Sequence, residues 1–253
     1  YLKYCVSFIF MNDIDLYQKL KSLTSYKPST EINQTFSALV AYCLDNNNKI
    51  HLDPDQIIET QKICSIGEEE LELDFTNKVI SNEKTLEDFT YYTNYRDQVN
   101  LEIESLRTFN PNIKKVLFIG GGPLPLTAIL LGKNYGVDCA VIEKNKEYAA
   151  LSEKLIQQLG IQNIQIINTE ALDYGGYANY DLVIISALSQ SNVLSKESLI
   201  NQTSSLVPLT LARYATGNRI LLYPDLNKSI INNIALVVNP TGNIINSSLI
   251  IKN

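Results

Sequence analysis

The chain has 253 residues, 45% of them hydrophobic and 19% charged, with a formal net charge of −6 and a sequence pI near 4.9. That composition suits a globular protein and is enough for one large domain or one domain with a smaller cap. The acidic balance provides no basic stripe and argues against a phosphate-backbone reader such as a nucleic-acid binder.

The opening run YLKYCVSFIFM is apolar but shorter than the roughly 20 residues of a membrane helix, and no small-residue cleavage site follows it. It is expected to be folded structure, with no membrane partner. Four helical stretches follow: DIDLYQKLKSL, TFSALVAYCLD, PDQIIETQKICSIGEEELELDF and TLEDFTYYTNYRDQVNLEIESLRTF. Their apolar positions recur every three or four residues. Asp53-Pro54 and Asn110-Pro111 mark boundaries. Residues 1–111 therefore predict a helical N-terminal domain.

From Lys114 the pattern changes. KVLFIG, VDCAVIEKN, IQIINTEA and DLVIISAL read as short, continuously apolar strands. LTAILLGKNYG, EYAALSEKLIQQLG and KESLINQTSSL read as the helices between them. A further strand lies within ARYATGNRILLYP, and the apolar runs of IINNIALVVNP and NIINSSLIIKN close the chain. Strands alternating with helices predict a parallel, doubly wound, Rossmann-like α/β domain over 112–253.

Cys5, Cys43, Cys64 and Cys139 show no C-x-x-C spacing, and His51 is the single histidine. No ligand cluster for a metal is visible. The thiols are expected to be reduced and buried in a cytoplasmic protein, and His51 to be structural or superficial.

The first strand runs into FIGGGPLPLTAIL. In a doubly wound sheet this strand-to-helix turn approaches the ligand most closely, and Gly120, Gly121 and Gly122 keep it open. A dinucleotide fingerprint needs glycine where Pro125 stands, and a phosphate loop needs Gly-Lys-Ser/Thr where the chain has Pro-Leu-Thr. Pro123 and Pro125 suit the start of a helix, where N–H groups have no partner. Glu143 ends the second strand and can accept both ribose hydroxyls. An open turn with a ribose acid favours S-adenosylmethionine (SAM). A nicotinamide cofactor and a non-enzymatic fold remain alternatives. Glu170, beside Ala171, would lie near the adenine or simply cap a helix. Ser186, after the fourth strand, would line the site or cap the strand.

GGGPLPLTAIL resembles the glycine–Pro–Leu–Pro–Leu–Thr turn of the nicotianamine synthase family. FTYYTNYRDQVNLEIESL (89–106) is similar to that family's upstream segment through Phe89, Tyr91, Tyr92, Asn94, Tyr95, Leu101 and Glu102. RYATGNRILLYP (213–224) is similar to a late segment through Arg213, Ala215, Gly217, Arg219, Leu222, Tyr223 and Pro224. FSALVAYC (36–43) is a weaker match. Thr216 stands where plant members carry histidine, and the chain looks closer to the bacterial, staphylopine-type branch.

That resemblance implies transfer of an aminobutanoyl group from SAM, with release of methylthioadenosine, to the amine of histidine, with D-histidine the expected enantiomer. The product would be a nicotianamine-like metallophore such as staphylopine, so the metal binds the product and not the enzyme. Plant-type condensation of SAM molecules and SAM methylation are the alternatives. The next enzyme of the pathway is a possible partner, and a homodimer is the default assembly.

The attacking amine must lose a proton, which a carboxylate can take. On a helix over 89–106, Tyr91, Tyr95, Gln98 and Glu102 share one stripe. Read as a functional stripe, it makes Glu102 the general base, with Tyr95 beside it and Tyr91 toward the substrate. Read blandly, it is a solvated face. Arg213 and Arg219 are the cations for substrate carboxylates, Tyr223 would shape the pocket, and Tyr174 with Gly175-Gly176 could form a lid.

Overall fold

The structure is a computed structural model that describes residues 11–189 and 195–253; residues 1–10 of the opening run, Cys5 among them, lie outside the described residues. Four helices come first, each begun where the sequence supplies an acceptor. α1 (Asp13–Ser22) is capped by Asn12, α2 (Thr30–Leu44) by Ser29, and α3 (Pro54–Ile80) by Asp53 in a reciprocal capping box with Gln56. The Ser29 cap starts α2 before the apolar stretch. α4 (Tyr92–Arg107) is shorter than its sequence pattern. A 3-10 turn at Leu86–Asp88 precedes it, and Phe89 is extended there, with its ring 4.9 Å from Phe75. Burying Phe89 outweighs continuing the helix through it.

Asp13 ties α1 down. Its buried carboxylate accepts the backbone N–H of His51 and that of Leu52 at 3.0 Å, and meets His51 Nδ1 at 3.0 Å. Burial raises this carboxyl, but the hydrogen bonds from His51 and Leu52 outweigh it and hold the group below its ordinary value. A depressed carboxylate adds stability that is present above its unfolded value of about 3.9 and lost as pH falls through the folded one. The stability gap between wild type and Asp13→Asn, measured by urea titration, should therefore shrink once pH drops below about 4. A gap independent of pH would remove this role.

The sheet follows in seven strands: β1 (Lys115–Ile119), β2 (Asp138–Glu143), β3 (Ile164–Asn168), β4 (Leu182–Ile185), β5 (Leu209–Tyr214), β6 (Ile234–Val238) and β7 (Ser247–Lys252). Their order is β3-β2-β1-β4-β5-β7-β6. The first five are parallel, with α5 (Leu126–Tyr135), α6 (Lys146–Gln158) and α7 (Lys196–Ser204) between strands. The expectation of a wholly parallel sheet needs correction. β7 runs antiparallel to both β5 and β6, because residues 239–246 are too few for a crossover helix. β6 is an edge strand whose Ile234, Leu236 and Val237 are exposed.

Alternate strand residues feed two cores. Val116 and Phe118 pack with residues of α3, α4, α5 and α6, while Leu117 and Ile119 pack with α7 and Tyr177. A third core joins Leu16, Leu20, Leu39 and Ile63 of α1–α3 to Leu221, Leu222 and Ile245. Apolar clusters thus run across the change of pattern at residues 111/112. Cys43, Cys64 and Cys139 are buried free thiols. Among the described residues no helix is long and apolar enough to cross a membrane.

Candidate active site

A cavity of about 480 Å³ opens at the carboxyl ends of the parallel strands, roofed by α2, α3 and the start of α4. This is the crevice in which open α/β sheets bind ligands. The glycine turn forms its floor. Gly120 and Gly122 have positive φ, +84° and +61°. A Cβ at Gly120 would lie 2.2 Å from Ser189 Oγ and 2.5 Å from Ser186 Oγ. One at Gly121 would lie 2.3 Å from Val141 Cγ1, and one at Gly122 2.9 Å from Glu72 Oε2. Only glycine fits these positions. Pro125 is the N-cap of α5. Ser152 and Thr76 hydroxyls donate to the carbonyls of Gly122 (2.8 Å) and Pro123 (3.1 Å), pinning the turn from α6 and α3.

Glu143 accepts the Gly122 N–H at 2.8 Å and the Asn145 N–H at 2.7 Å. Burial pushes its carboxyl up and these two donors pull it back. Glu170, Ala171 and Ser186 also line the cavity, as do Tyr91, Tyr95, Arg213 and Tyr223. Ser186 Oγ lies 2.7 Å from Ser189 Oγ. Tyr91 is the N-cap of α4 and not part of the helix, yet its ring stays with the stripe.

Glu102 lies elsewhere. It is 1% exposed and does not line the cavity. Arg213 grips it twice, Nε to Oε1 at 2.9 Å and Nη2 to Oε2 at 2.8 Å. Gln98 Nε2 and Ser248 Oγ donate to it at 2.7 and 2.6 Å. A carboxylate so occupied has no route to a substrate proton, which corrects the expectation that Glu102 is the base. Arg219 and Thr216 lie outside the lining, on the turn after β5. Tyr174 packs on Tyr177 and Tyr180 and lines no part of the cavity, so it is not a lid.

Besides Glu143 and Glu170, α3 brings the carboxylates of Glu68 and Glu72 to the cavity. Glu68 Oε1 accepts from Tyr95 Oη at 3.2 Å, and Glu68 Oε2 from Tyr223 Oη at 2.8 Å. Glu72 Oε1 lies 3.4 Å from Tyr95 Oη. Burial raises the Glu68 carboxyl, opposed by the Tyr223 and Tyr95 hydroxyls. Burial, then Glu68, raise Glu72 well above its ordinary value. Burial and Glu68 also hold Tyr95 and Tyr223 well above theirs, so both remain neutral donors. The sequence reading missed Glu68 and Glu72. Their signal was Gly67, a glycine inside a helix that needs a packing reason. A Cβ there would lie 2.3 Å from Phe36 Cζ.

Residues 5–253 match the family described as nicotianamine synthase protein. The chain belongs to the nicotianamine synthase family. Nicotianamine synthase 3 of Arabidopsis thaliana is 30% identical, over 94% of this chain and 81% of that protein. The nicotianamine synthase of Solanum lycopersicum is 26% identical over 94% and 81%. The crystal structure of MtNAS in complex with MTA and tNA superposes with a TM-score of 0.79, at 24% identity over 94% of this chain and 96% of that one. A glutamate-to-glutamine mutant of MtNAS in complex with S-adenosylmethionine gives 0.78, covering 94% and 95%. The nicotianamine synthase fold thus accounts for the seven-stranded sheet and its helical roof together.

Proposed function

We propose that this nicotianamine synthase family member transfers the aminobutanoyl arm of SAM to the α-amine of an amino acid, with histidine as acceptor. The observation that carries the reading is the position of Glu68 in the cavity, bonded by two neutral tyrosines. The glycine cradle, which any Cβ would fill, and Glu143 at the end of β2 fit the adenosyl part. MtNAS has been crystallised with S-adenosylmethionine. Bound there, SAM supplies an electrophilic γ-carbon and departs as methylthioadenosine.

The chain's own residues supply the rest. Glu68 takes the ammonium proton of the acceptor, and its raised carboxyl suits a base working near neutrality. Tyr95 and Tyr223 fix the carboxylate's orientation and share the charge it carries. Glu143 accepts the ribose hydroxyls, and Glu170 with Ala171 borders the adenine. Arg213, held by Glu102, takes a carboxylate.

The names of the plant relatives favour a second reading, nicotianamine formed from SAM alone. Mass spectrometry of the products, with SAM and with or without each histidine enantiomer, separates these. Histidine-dependent methylthioadenosine and an aminobutanoyl-histidine support the first. Nicotianamine without histidine supports the second. S-adenosylhomocysteine alone would mean a methyltransferase and overturn both.

A further inference from the structure

Glu102 can only accept hydrogen bonds, and this fixes the amide of Gln98. Its Nε2 donates to Glu102 Oε1 at 2.7 Å and to Ser248 Oγ at 3.1 Å; the reverse assignment would set carbonyl against carboxylate. Oε1 is left on the other side of the amide. Gln98 is 3% exposed and lines the cavity, and this oxygen has no hydrogen-bond partner among the described residues. Asn246, just before β7, lines the same cavity and leaves its Oδ1 unpartnered too. A native protein rarely abandons such acceptors, so each asks for a donor from a ligand.

Arg213 offers the complement. Nε, Nη1 and Nη2 each donate once, to Glu102 and to Thr127 Oγ1 at 2.8 Å. Two of the five guanidinium N–H groups remain. Arg213 pairs in register with Ser248, which Gln98 contacts, so donors and acceptors form one wall. Glu102 cancels the Arg213 charge, and the amides add none. The wall is neutral overall but carries donors and acceptors side by side, which matches a zwitterion.

We infer that this wall recognises the α-amino-acid end of a ligand, its carboxylate on Arg213 and its ammonium on Gln98 Oε1 and Asn246 Oδ1. The inference rests on the aminobutanoyl-transfer reading. The chemistry has two sources, the methionyl end of SAM or the free acceptor amino acid.

Calorimetry on the full chain distinguishes them. The probes are S-adenosylhomocysteine, its deamino analogue and methylthioadenosine, then histidine titrated into the methylthioadenosine complex. For the methionyl source, wild type should prefer S-adenosylhomocysteine to the deamino analogue by about 10- to 100-fold, the effect of one charge-assisted hydrogen bond. Gln98→Leu should collapse that preference and leave methylthioadenosine binding intact. For the acceptor source, Gln98→Leu should instead weaken histidine binding by about tenfold. Asn246→Ala, at a half-buried position, should reproduce either pattern more mildly. Discrimination unchanged in both variants, or all ligands weakened in step, would overturn the assignment alone. No adenosyl ligand bound by wild type would overturn the functional reading and the assignment with it.

Discussion

Replacing Glu68 with glutamine is expected to lower turnover by about 10²- to 10⁴-fold, the usual worth of a positioned general base, while SAM binding is retained. The amide has the carboxylate's shape and still meets the Tyr95 and Tyr223 hydroxyls, but it cannot take the acceptor's proton. Single-turnover formation of methylthioadenosine, read beside calorimetric SAM affinity, separates chemistry from binding. The pH profile gives a second check. Glu68 must be ionised to act, so activity rises with pH through its raised value. The Tyr95 and Tyr223 hydroxyls pull that value down, so Tyr223→Phe should move the acid limb to higher pH. Full turnover by Glu68→Gln would pass the role to Glu72, one helical turn along.

Arg213→Met is expected to cost about 3–5 kcal/mol of stability, a fall in Tm of about 6 to 20 °C for a domain of this size. The loss comes mainly from what remains. Glu102 would be left 1% exposed without its cation, with Gln98 and Ser248 as its remaining partners among the described residues. Adding Glu102→Leu should recover much of the loss, because an apolar pair of similar volume often replaces a buried ion pair at little cost. Thermal melts of the single and double variants test this. Two independent, additive losses would mean the pair is not the source. For the same reason, lost activity in a Glu102 variant says nothing of proton transfer unless its melt is unchanged.

The glycine turn was legible because each of its glycines answers to a separate steric demand. Glu143 was legible because it ends a strand at a fixed distance from the turn. Spacing alone left the stripe of Tyr91, Tyr95 and Gln98 as readily a solvated face, and only the family resemblance turned it toward the cavity that these residues line. The fate of Glu102 on that stripe was not legible, since its partner Arg213 lies 111 positions away and only the sheet brings them together. Glu68 and Glu72 were hidden for another reason. GEEELELD reads as a solvated acidic face, and beyond the packing hint of Gly67 nothing local reveals that α3 lies over a cavity. The reversal of β7 turned on how little chain separates it from β6, a weaker signal than the alternation before it.

The third apolar cluster, which closes α1, α2 and α3 with Leu221, Leu222 and Ile245, bears on how the protein is made. The ribosome releases these helices before the sheet, with their inner faces bare. Their last packing partner in this cluster, Ile245, is encoded 165 positions after the end of α3. These helices therefore wait, incompletely packed, until Ile245 has emerged. During that interval they are the segment most in need of a chaperone. A chain cut short before residue 245 leaves them exposed for good, and is a substrate for proteolysis before it is a defective enzyme.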